Sequence, residues 1–252
     1  MEFKDKIILI TGAASGIGRA AALAFAKEGG LIVASDINEE AGLETVAKIE
    51  ELSGKATFIK TNVAVFEEVK ALMDQIVNQF GRLDIAINNA GIGGQSAKTP
   101  DYPVDDWARV MQINAAGVFY CMKTQISIML QQEGGVILNT ASIAGLRGLP
   151  KSIAYSASKH AVVGMTKTAA LEYARHRIRI NALCPVFTIS PMFNPEEIEK
   201  VAKGIPDKLK ASIPMKRFAD VEEQVGAMMW LCSEKASFVT GHALPVDGGL
   251  TA

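Results

Sequence analysis

Short apolar runs along this chain alternate with longer stretches in which apolar residues return every three to four positions. The short runs predict strands over 6–10, 31–35, 56–60, 83–88, 135–140, 178–183 and 243–246. The longer stretches predict helices over 16–28, 39–52, 66–80, 105–132, 152–176 and 221–232, with 105–132 read as one long helix. Strands that are apolar throughout and separated by helices predict a parallel sheet covered on both faces, an α/β fold. No repeat, low-complexity tract or linker interrupts the pattern, so one domain over 1–252 is expected. The stretch 185–217 departs from it, being rich in Pro and Met and mixing helix and breaker signals. An irregular insertion of this kind after a strand suggests a lid over a site, at about 186–216.

Composition narrows the class without naming a function. Of 252 residues, 49% are apolar and 21% charged, which suits a globular domain with a sizeable core. A formal net charge of -1 gives no reason to expect a nucleic-acid or membrane partner. No apolar run is long enough to span a bilayer, and the polar start of the chain does not resemble a signal peptide. Cys121, Cys184 and Cys232 are far apart and odd in number, as expected for reduced thiols in a cytoplasmic protein. His160, His176 and His242 are scattered without metal-ligand spacing, so no metal is expected.

Three local patterns carry chemistry. Tyr155 and Lys159 stand four apart in a predicted helix and so share a face. A cation one turn from a phenol favours the phenolate and lowers its pKa, which makes the pair a proton-transfer device. The alternative is an ordinary solvated helix face. The run Thr11-Gly12-Ala13-Ala14-Ser15-Gly16-Ile17-Gly18 follows a strand and opens a helix. Glycines permit a tight turn and close backbone approach, and the helix N-terminus offers free N–H groups to a pyrophosphate. The run lacks the Gly-Lys-Ser/Thr of a nucleoside-triphosphate loop, so a dinucleotide fits better, unless the turn is purely structural. Asp36 ends the second predicted strand, where an acid can accept hydrogen bonds from both adenosine ribose hydroxyls. It would repel a 2′-phosphate by roughly 4 kcal/mol at about 4 Å and an effective dielectric near 20. Its neighbours Ser35 and Ile37 offer no cation, so NAD(H) is favoured over NADP(H). The alternative for Asp36 is a cap on the following helix.

Taken together, these marks resemble the short-chain dehydrogenase/reductase family over essentially the whole chain. The further matching features are Asn88-Asn89-Ala90-Gly91 after the fourth strand, Asn114 in the long helix, Ser142 after the fifth strand and Pro185 after the sixth. The resemblance implies a Rossmann-type, doubly wound parallel sheet of seven strands, a nicotinamide cofactor and a homotetramer. It implies that Tyr155 is the acid/base, that Ser142 polarises a substrate carbonyl, and that Lys159 binds the nicotinamide ribose and lowers the tyrosine pKa. Asn114 would anchor a water in a proton relay; the alternative is a polar core residue. Cofactor contacts are implied at Gly12, Ser15, Gly16, Ile17, Gly18, Asp36, Ile37, Asn62, Val63, Asn89, Ala90, Gly91, Tyr155, Lys159, Pro185, Val186, Thr188 and Ser190. The substrate pocket is expected from Ser142, Ala144, Leu149, Tyr155, Val186, Phe187 and Met192, with Phe193 and Met215 as further candidates.

Two positions depart from the family pattern. Val186 stands where Gly is usual after Pro185, placing a branched side chain beside the nicotinamide. Asn62 stands where Asp is usual before Val63, yet can still accept from an adenine amine. The chemistry suits hydride exchange between NAD(H) and a small-molecule secondary alcohol or ketone, since Ser142 and Tyr155 can both hydrogen-bond the reacting oxygen. A 3-oxoacyl thioester, a sugar, a steroid or a dihydrodiol on the same chemistry is the alternative. A non-catalytic dinucleotide sensor is opposed by the intact Ser142, Tyr155 and Lys159.

Overall fold

A computed structural model describes residues 1–132 and 134–252. Seven strands form one sheet: β1 (Ile7–Thr11), β2 (Leu31–Asp36), β3 (Lys55–Lys60), β4 (Ile85–Asn88), β5 (Gly135–Thr140), β6 (Ile178–Pro185) and β7 (Ala243–Val246). Their order is β3-β2-β1-β4-β5-β6-β7. Every pairing is parallel, from Leu31 against Lys55 at one side to Pro185 against Val246 at the other.

Alternation along the strands builds two cores. Ile7, Leu9, Val33 and Ile137 face one side with Leu72, Met122, Ile126 and Val162. Ile8, Ile10, Ile32 and Leu138 face the other with Ala21, Phe25, Val225 and Met228. The first layer comprises α3 (Phe66–Phe80), α5 (Gly117–Gln131) and α6 (Ile153–Tyr173); the second comprises α1 (Gly16–Lys27), α2 (Glu39–Glu51) and α9 (Val221–Cys232). Each large apolar side chain removed from water contributes about 1.5–3 kcal/mol. Strands buried on both faces therefore read as unbroken apolar runs. Methionine contributes less to these cores than its frequency suggests, since of ten only Met73, Met122, Met129 and Met228 are fully buried.

The structure refines three expectations. The helix read as 105–132 begins as α4 (Val104–Met111), passes through a five-residue π turn (Gln112–Ala116) and continues as α5, with helical backbone throughout. The π turn holds Asn114, fully buried. Second, 152–176 resolves into α6 followed by a 3₁₀ turn (Ala174–His176), which ends at Arg177 in the left-handed region (φ 58°). Third, the irregular stretch contains two short helices, α7 (Pro195–Val201) and α8 (Ile205–Ser212). Its two stems are tied together, because Ile189 N–H donates to Ala219 O and Ala219 N–H donates to Phe187 O. Phe193 bridges the stems, with its ring centroid 5.3 Å from Phe187 and 5.0 Å from Phe218.

No described helix is long and apolar enough to cross a membrane. The three cysteines are free and buried. Burial pushes the Cys121 and Cys232 thiols up to about 12 and the Cys184 thiol up to about 11, so none is a nucleophile at neutral pH.

Candidate active site

The C-terminal strand ends open onto a cavity of about 770 Å³. β1 lies where the chain turns from building outward on one side to building on the other, and open α/β sheets bind ligands at such a crevice. Gly12, Ser15, Gly16 and Ile17 line one end. Gly12 has φ +67°, and a Cβ there would fall 2.8 Å from Ala90 Cα, so no side chain fits. Ser15 is the N-cap of α1 but makes no side-chain cap bond, so the helix start faces the cavity with N–H groups that its own cap does not engage. That end of the cavity fits a phosphate-bearing ligand.

Gly18 takes a different part from the one expected. It does not line the cavity. A Cβ at Gly18 would sit 2.1 Å from Gly12 O, so this glycine lets α1 rest against the turn rather than meet a ligand. Thr11 stabilises the same region from below, its hydroxyl accepting from Asn89 N–H (3.0 Å) and Ala90 N–H (3.1 Å). Asn89, Ala90 and Gly91 then line the cavity beside the turn.

Asp36 and Ile37 lie on the cavity wall. The Asp36 carboxylate is fixed from two sides, Oδ2 accepting from Ala14 N–H (3.0 Å) and Oδ1 from Asn38 N–H (3.0 Å). The side chain that caps α2 is that of Asn38, which accepts from Ala41 N–H, so Asp36 is left facing the cavity. Asn62 and Val63 extend this wall. Asn62 Oδ1 accepts from Ala64 N–H (3.0 Å), which keeps that side chain in place.

Ser142, Tyr155 and Lys159 meet on the cavity wall at the end of β5. Lys159 is buried and donates from Nζ to Thr140 O at 2.7 Å. Its Nζ lies 5.6 Å from the centroid of the Tyr155 ring. Burial lowers the Lys159 ammonium to about 8. The expected depression of the phenol is not found. Desolvation raises the Tyr155 pKa, only partly offset by a hydrogen bond with Ser142. Loss of hydration is the largest influence on the phenol, and the nearby cation does not reverse it. Tyr155 therefore holds its proton at neutral pH.

Asn114 stands behind this group, not on the cavity wall. It clamps Ile92, accepting from its N–H and donating to its carbonyl, both at 2.8 Å. It also donates to Ser158 Oγ at 3.2 Å, and a Cβ placed on Gly91 would lie 3.1 Å from Asn114 Oδ1 and 3.6 Å from Lys159 Nζ. Its position suits alignment of the loop and of α6 more than contact with a ligand.

Pro185, Val186, Phe187, Thr188, Ser190 and Met192 form the outer wall, with Leu149 and Phe193. Val186 also packs with Ile143 and Ile213, and its backbone has no positive φ, so Val is accommodated where Gly was expected. Ala144 is fully buried and off the wall; what reaches the site from it is a backbone N–H donated to Ser142 Oγ at 3.1 Å. Met215 is exposed and also off the wall. Its N–H donates to Gly248 O, which ties the end of the irregular stretch to the C-terminal residues. Sequence reasoning missed Thr140, whose carbonyl holds Lys159, and Ile92, Gly93, Gly94 and Ser96, which also line the cavity. Thr140 was findable from its place at a strand's C-terminal end; the loop residues carry no chemical signal of their own.

Comparison with known proteins agrees with this geometry. A family model described as enoyl-(acyl carrier protein) reductase matches residues 12–251. A cyclohexanol dehydrogenase of Acinetobacter sp. (strain SE19) is 43% identical over 252 residues, covering all of this chain and 97% of the relative. A 3beta-hydroxysteroid dehydrogenase of Mediterraneibacter gnavus is 41% identical over 265 residues, covering 99% of this chain and 96% of the relative. The crystal structure of an NAD+-bound xylitol dehydrogenase superimposes with a TM-score of 0.94 at 37% identity, covering 99% of this chain and 100% of that one.

Proposed function

Since this chain belongs to the short-chain dehydrogenase/reductase family and is an oxidoreductase of CH–OH groups, we propose that it interconverts an alicyclic secondary alcohol and its ketone with NAD(H). The observation that carries this reading is one continuous cavity, with a glycine turn and Asp36 at one end, Ser142, Tyr155 and Lys159 in the middle, and Val186, Phe187, Met192 and Leu149 beyond. The cradle fits a dinucleotide. Gly12, Ser15, Gly16 and Ile17 would hold its pyrophosphate, Asp36 and Ile37 its adenosine ribose, Asn62 and Val63 its adenine, and Lys159 its second ribose. Asn89, Ala90, Gly91, Pro185, Val186, Thr188 and Ser190 would flank the nicotinamide half. When bound, the reduced nicotinamide supplies a hydride.

The chain's own residues supply the rest. Tyr155, protonated because desolvation raises its pKa, donates its proton to the ketone oxygen as negative charge develops there. The Ser142 hydroxyl shares that oxygen and lowers its charge. Lys159, at about 8, keeps most of its charge at neutral pH and favours the phenolate that remains. In the oxidative direction the phenolate accepts the alcohol proton. Apolar side chains exclude water from the reacting carbon.

A second reading, reduction of an acyl thioester, draws on the description of the matched family model. Against it, Lys159 is the only cation among the described lining residues, and a carrier or coenzyme rich in phosphate gains from cations at the mouth. A sugar is opposed by the largely apolar outer wall. We further read the chain as a cytoplasmic homotetramer of single-domain subunits, with α7 and α8 as a lid. Exposed Trp107 and Phe119 on α4 and α5, Leu171 on α6, and Phe238 would lie in subunit contacts. The test is turnover of cyclohexanol, a 3-hydroxysteroid, xylitol and a 3-hydroxyacyl thioester with NAD+, followed by nicotinamide absorbance. Cyclic alcohols should lead; preference for the thioester, or no turnover of any cyclic alcohol, would overturn the reading.

A further inference from the structure

The cavity wall facing the lid is the loop between β4 and α4, and it has no regular structure from 89 to 98. Irregular backbone that shapes a binding site must be held from elsewhere. Two side chains of the one long helix hold it, eight residues apart. Asn114 takes both backbone groups of Ile92. Asp106 takes the next turn of the loop. Its Oδ2 accepts from Gln95 N–H at 2.8 Å and from Tyr102 Oη–H at 2.6 Å. Its Oδ1 accepts from Arg109 Nε (3.2 Å) and Nη2 (2.6 Å).

The Asp106 side chain is only 4% exposed, whereas Arg109 is on the surface. A buried carboxylate needs such a full set of donors. Those same donors hold the Asp106 carboxyl down to about 2. Gly94 completes the arrangement. Its φ is +72°, and a Cβ there would fall 2.6 Å from Tyr102 Oη and 2.7 Å from Val110 Cγ2, so the loop folds directly over the latch. On its far side the loop is tied to the segment before α6, Ala97 N–H donating to Lys151 O at 3.0 Å. That segment contributes Leu149 and Ser152 to the cavity.

Ile92, Gly93, Gly94 and Ser96 therefore face the substrate end with positions fixed from behind. We infer that Asp106, with Tyr102, is a positioning residue that sets the fixed wall of the substrate cavity against which the lid closes, and so governs substrate recognition without touching substrate or cofactor. The inference rests on the reading of the cavity given above. It assigns the two ends of the cavity to separate supports: the cofactor end to Thr11, Asp36 and the glycine turn, and the substrate end to Asp106 and Tyr102.

The test uses the full-length enzyme and the variants Asp106→Asn, Tyr102→Phe and their combination. Asn offers one acceptor oxygen in place of two, so either the Oδ2 partners or the Arg109 bonds are lost, and the negative charge that strengthens the Gln95 and Tyr102 bonds is lost in both arrangements. Three quantities are read: amide exchange of the 91–97 segment by mass spectrometry, the Kd of NAD+, and KM and kcat for cyclohexanone. Asp106→Asn should speed exchange at Gln95 and raise KM by about tenfold or more, as loss of a charge-assisted bond implies, while NAD+ Kd and kcat change by less than about threefold. Tyr102→Phe should do the same more weakly, and the double variant should match Asp106→Asn, since both act through one latch. Unchanged exchange, an unchanged KM, or an NAD+ Kd raised as much as KM would overturn the inference. If Asp106→Asn fails to fold, Tyr102→Phe decides on the same three readings. If the wild type turns over neither cyclohexanone nor the other substrates, the functional reading falls by itself, and exchange together with NAD+ Kd still decides the latch.

Discussion

Replacing Asp36 should change which dinucleotide the enzyme uses, and the structure sets the size of the effect. Both carboxylate oxygens are fixed by backbone N–H groups at 3.0 Å, so the charge cannot swing away from an incoming phosphate. A 2′-phosphate would meet that charge at about 4 Å, where repulsion is about 1 kcal/mol in water and about 4 kcal/mol at an effective dielectric of 20. Asp36 is half-buried, so the working value lies between these limits, on the order of tenfold to a thousandfold in binding. Ser35 and Ile37 supply no cation to offset it, Glu40 in the first turn of α2 adds to the negative field, and the Lys60 ammonium on the neighbouring strand is paired with Glu39. Wild-type kcat/KM should favour NADH over NADPH by at least about tenfold. Asp36→Asn keeps an acceptor but removes the charge, and should improve NADPH use by a factor in the range given. Asp36→Ser with Ile37→Arg should move the ratio further toward NADPH. Steady-state rates with both cofactors at low and high salt measure all of this, and the wild-type preference should weaken as salt screens the charge. Equal wild-type efficiency with the two cofactors, or no gain for Asp36→Asn, would refute the reasoning.

Other substitutions probe the remaining parts. Tyr155→Phe keeps the ring but not the proton, and kcat should fall by about 10²- to 10⁴-fold with NADH affinity little changed; retention of most activity would remove Tyr155 from its role. In the free enzyme, reductive kcat/KM should fall as pH rises through about 8, where Lys159 loses its proton, and a flat profile across that range would separate Lys159 from the chemistry. Gly12→Ala should abolish NAD+ binding in calorimetry, because its Cβ has no room before Ala90 Cα and the backbone is left-handed there. Val186→Gly removes a side chain that both lines the cavity and packs with Ile143 and Ile213. It should lower the melting temperature through a loss of about 2–3 kcal/mol and shift the relative kcat/KM of small and bulky ketones more than the Kd of NADH; an unchanged substrate ratio would leave Val186 a packing residue only.

What the sequence discloses follows the range of the interaction. β1, β2 and β6 were legible because burial on both faces leaves an apolar run, and Asp36 was legible because it ends such a run before a helix. Tyr155 and Lys159 were legible because one helical turn fixes their spacing. Gly18 was misplaced for a local reason: spacing alone does not separate a glycine that meets a ligand from one that meets the carbonyl of Gly12. The π turn at Asn114 was hidden because its partner, Ile92, is on another element. Asp106 gave no signal, since an acid in the first turn of a helix already has a reason to be there. Its second task exists only once the loop at Gln95 has folded back onto it.

The direction of the Tyr155 shift shows the same limit acting on energy. From spacing alone, the one visible influence on the phenol is the Lys159 charge, and that influence lowers its pKa. In the folded chain the phenol is half-buried in the cavity wall, and Lys159 is buried beside it, held to the Thr140 carbonyl. Burial disfavours the charged form of each, so it raises the phenol and lowers the ammonium, and two values that lie close together in water move apart. Passing the phenol proton to Lys159 therefore costs more here than between the same groups in water, so Tyr155 keeps its proton until charge develops on a reacting oxygen. The catalytic setting of Tyr155 therefore depends on keeping the cavity dry as much as on the nearby cation. Substitutions that admit water, such as Phe187→Ser in the outer wall, should shift the pH dependence of turnover without touching either group, and a pH profile unchanged by Phe187→Ser would mean that the charge of Lys159 alone sets the phenol.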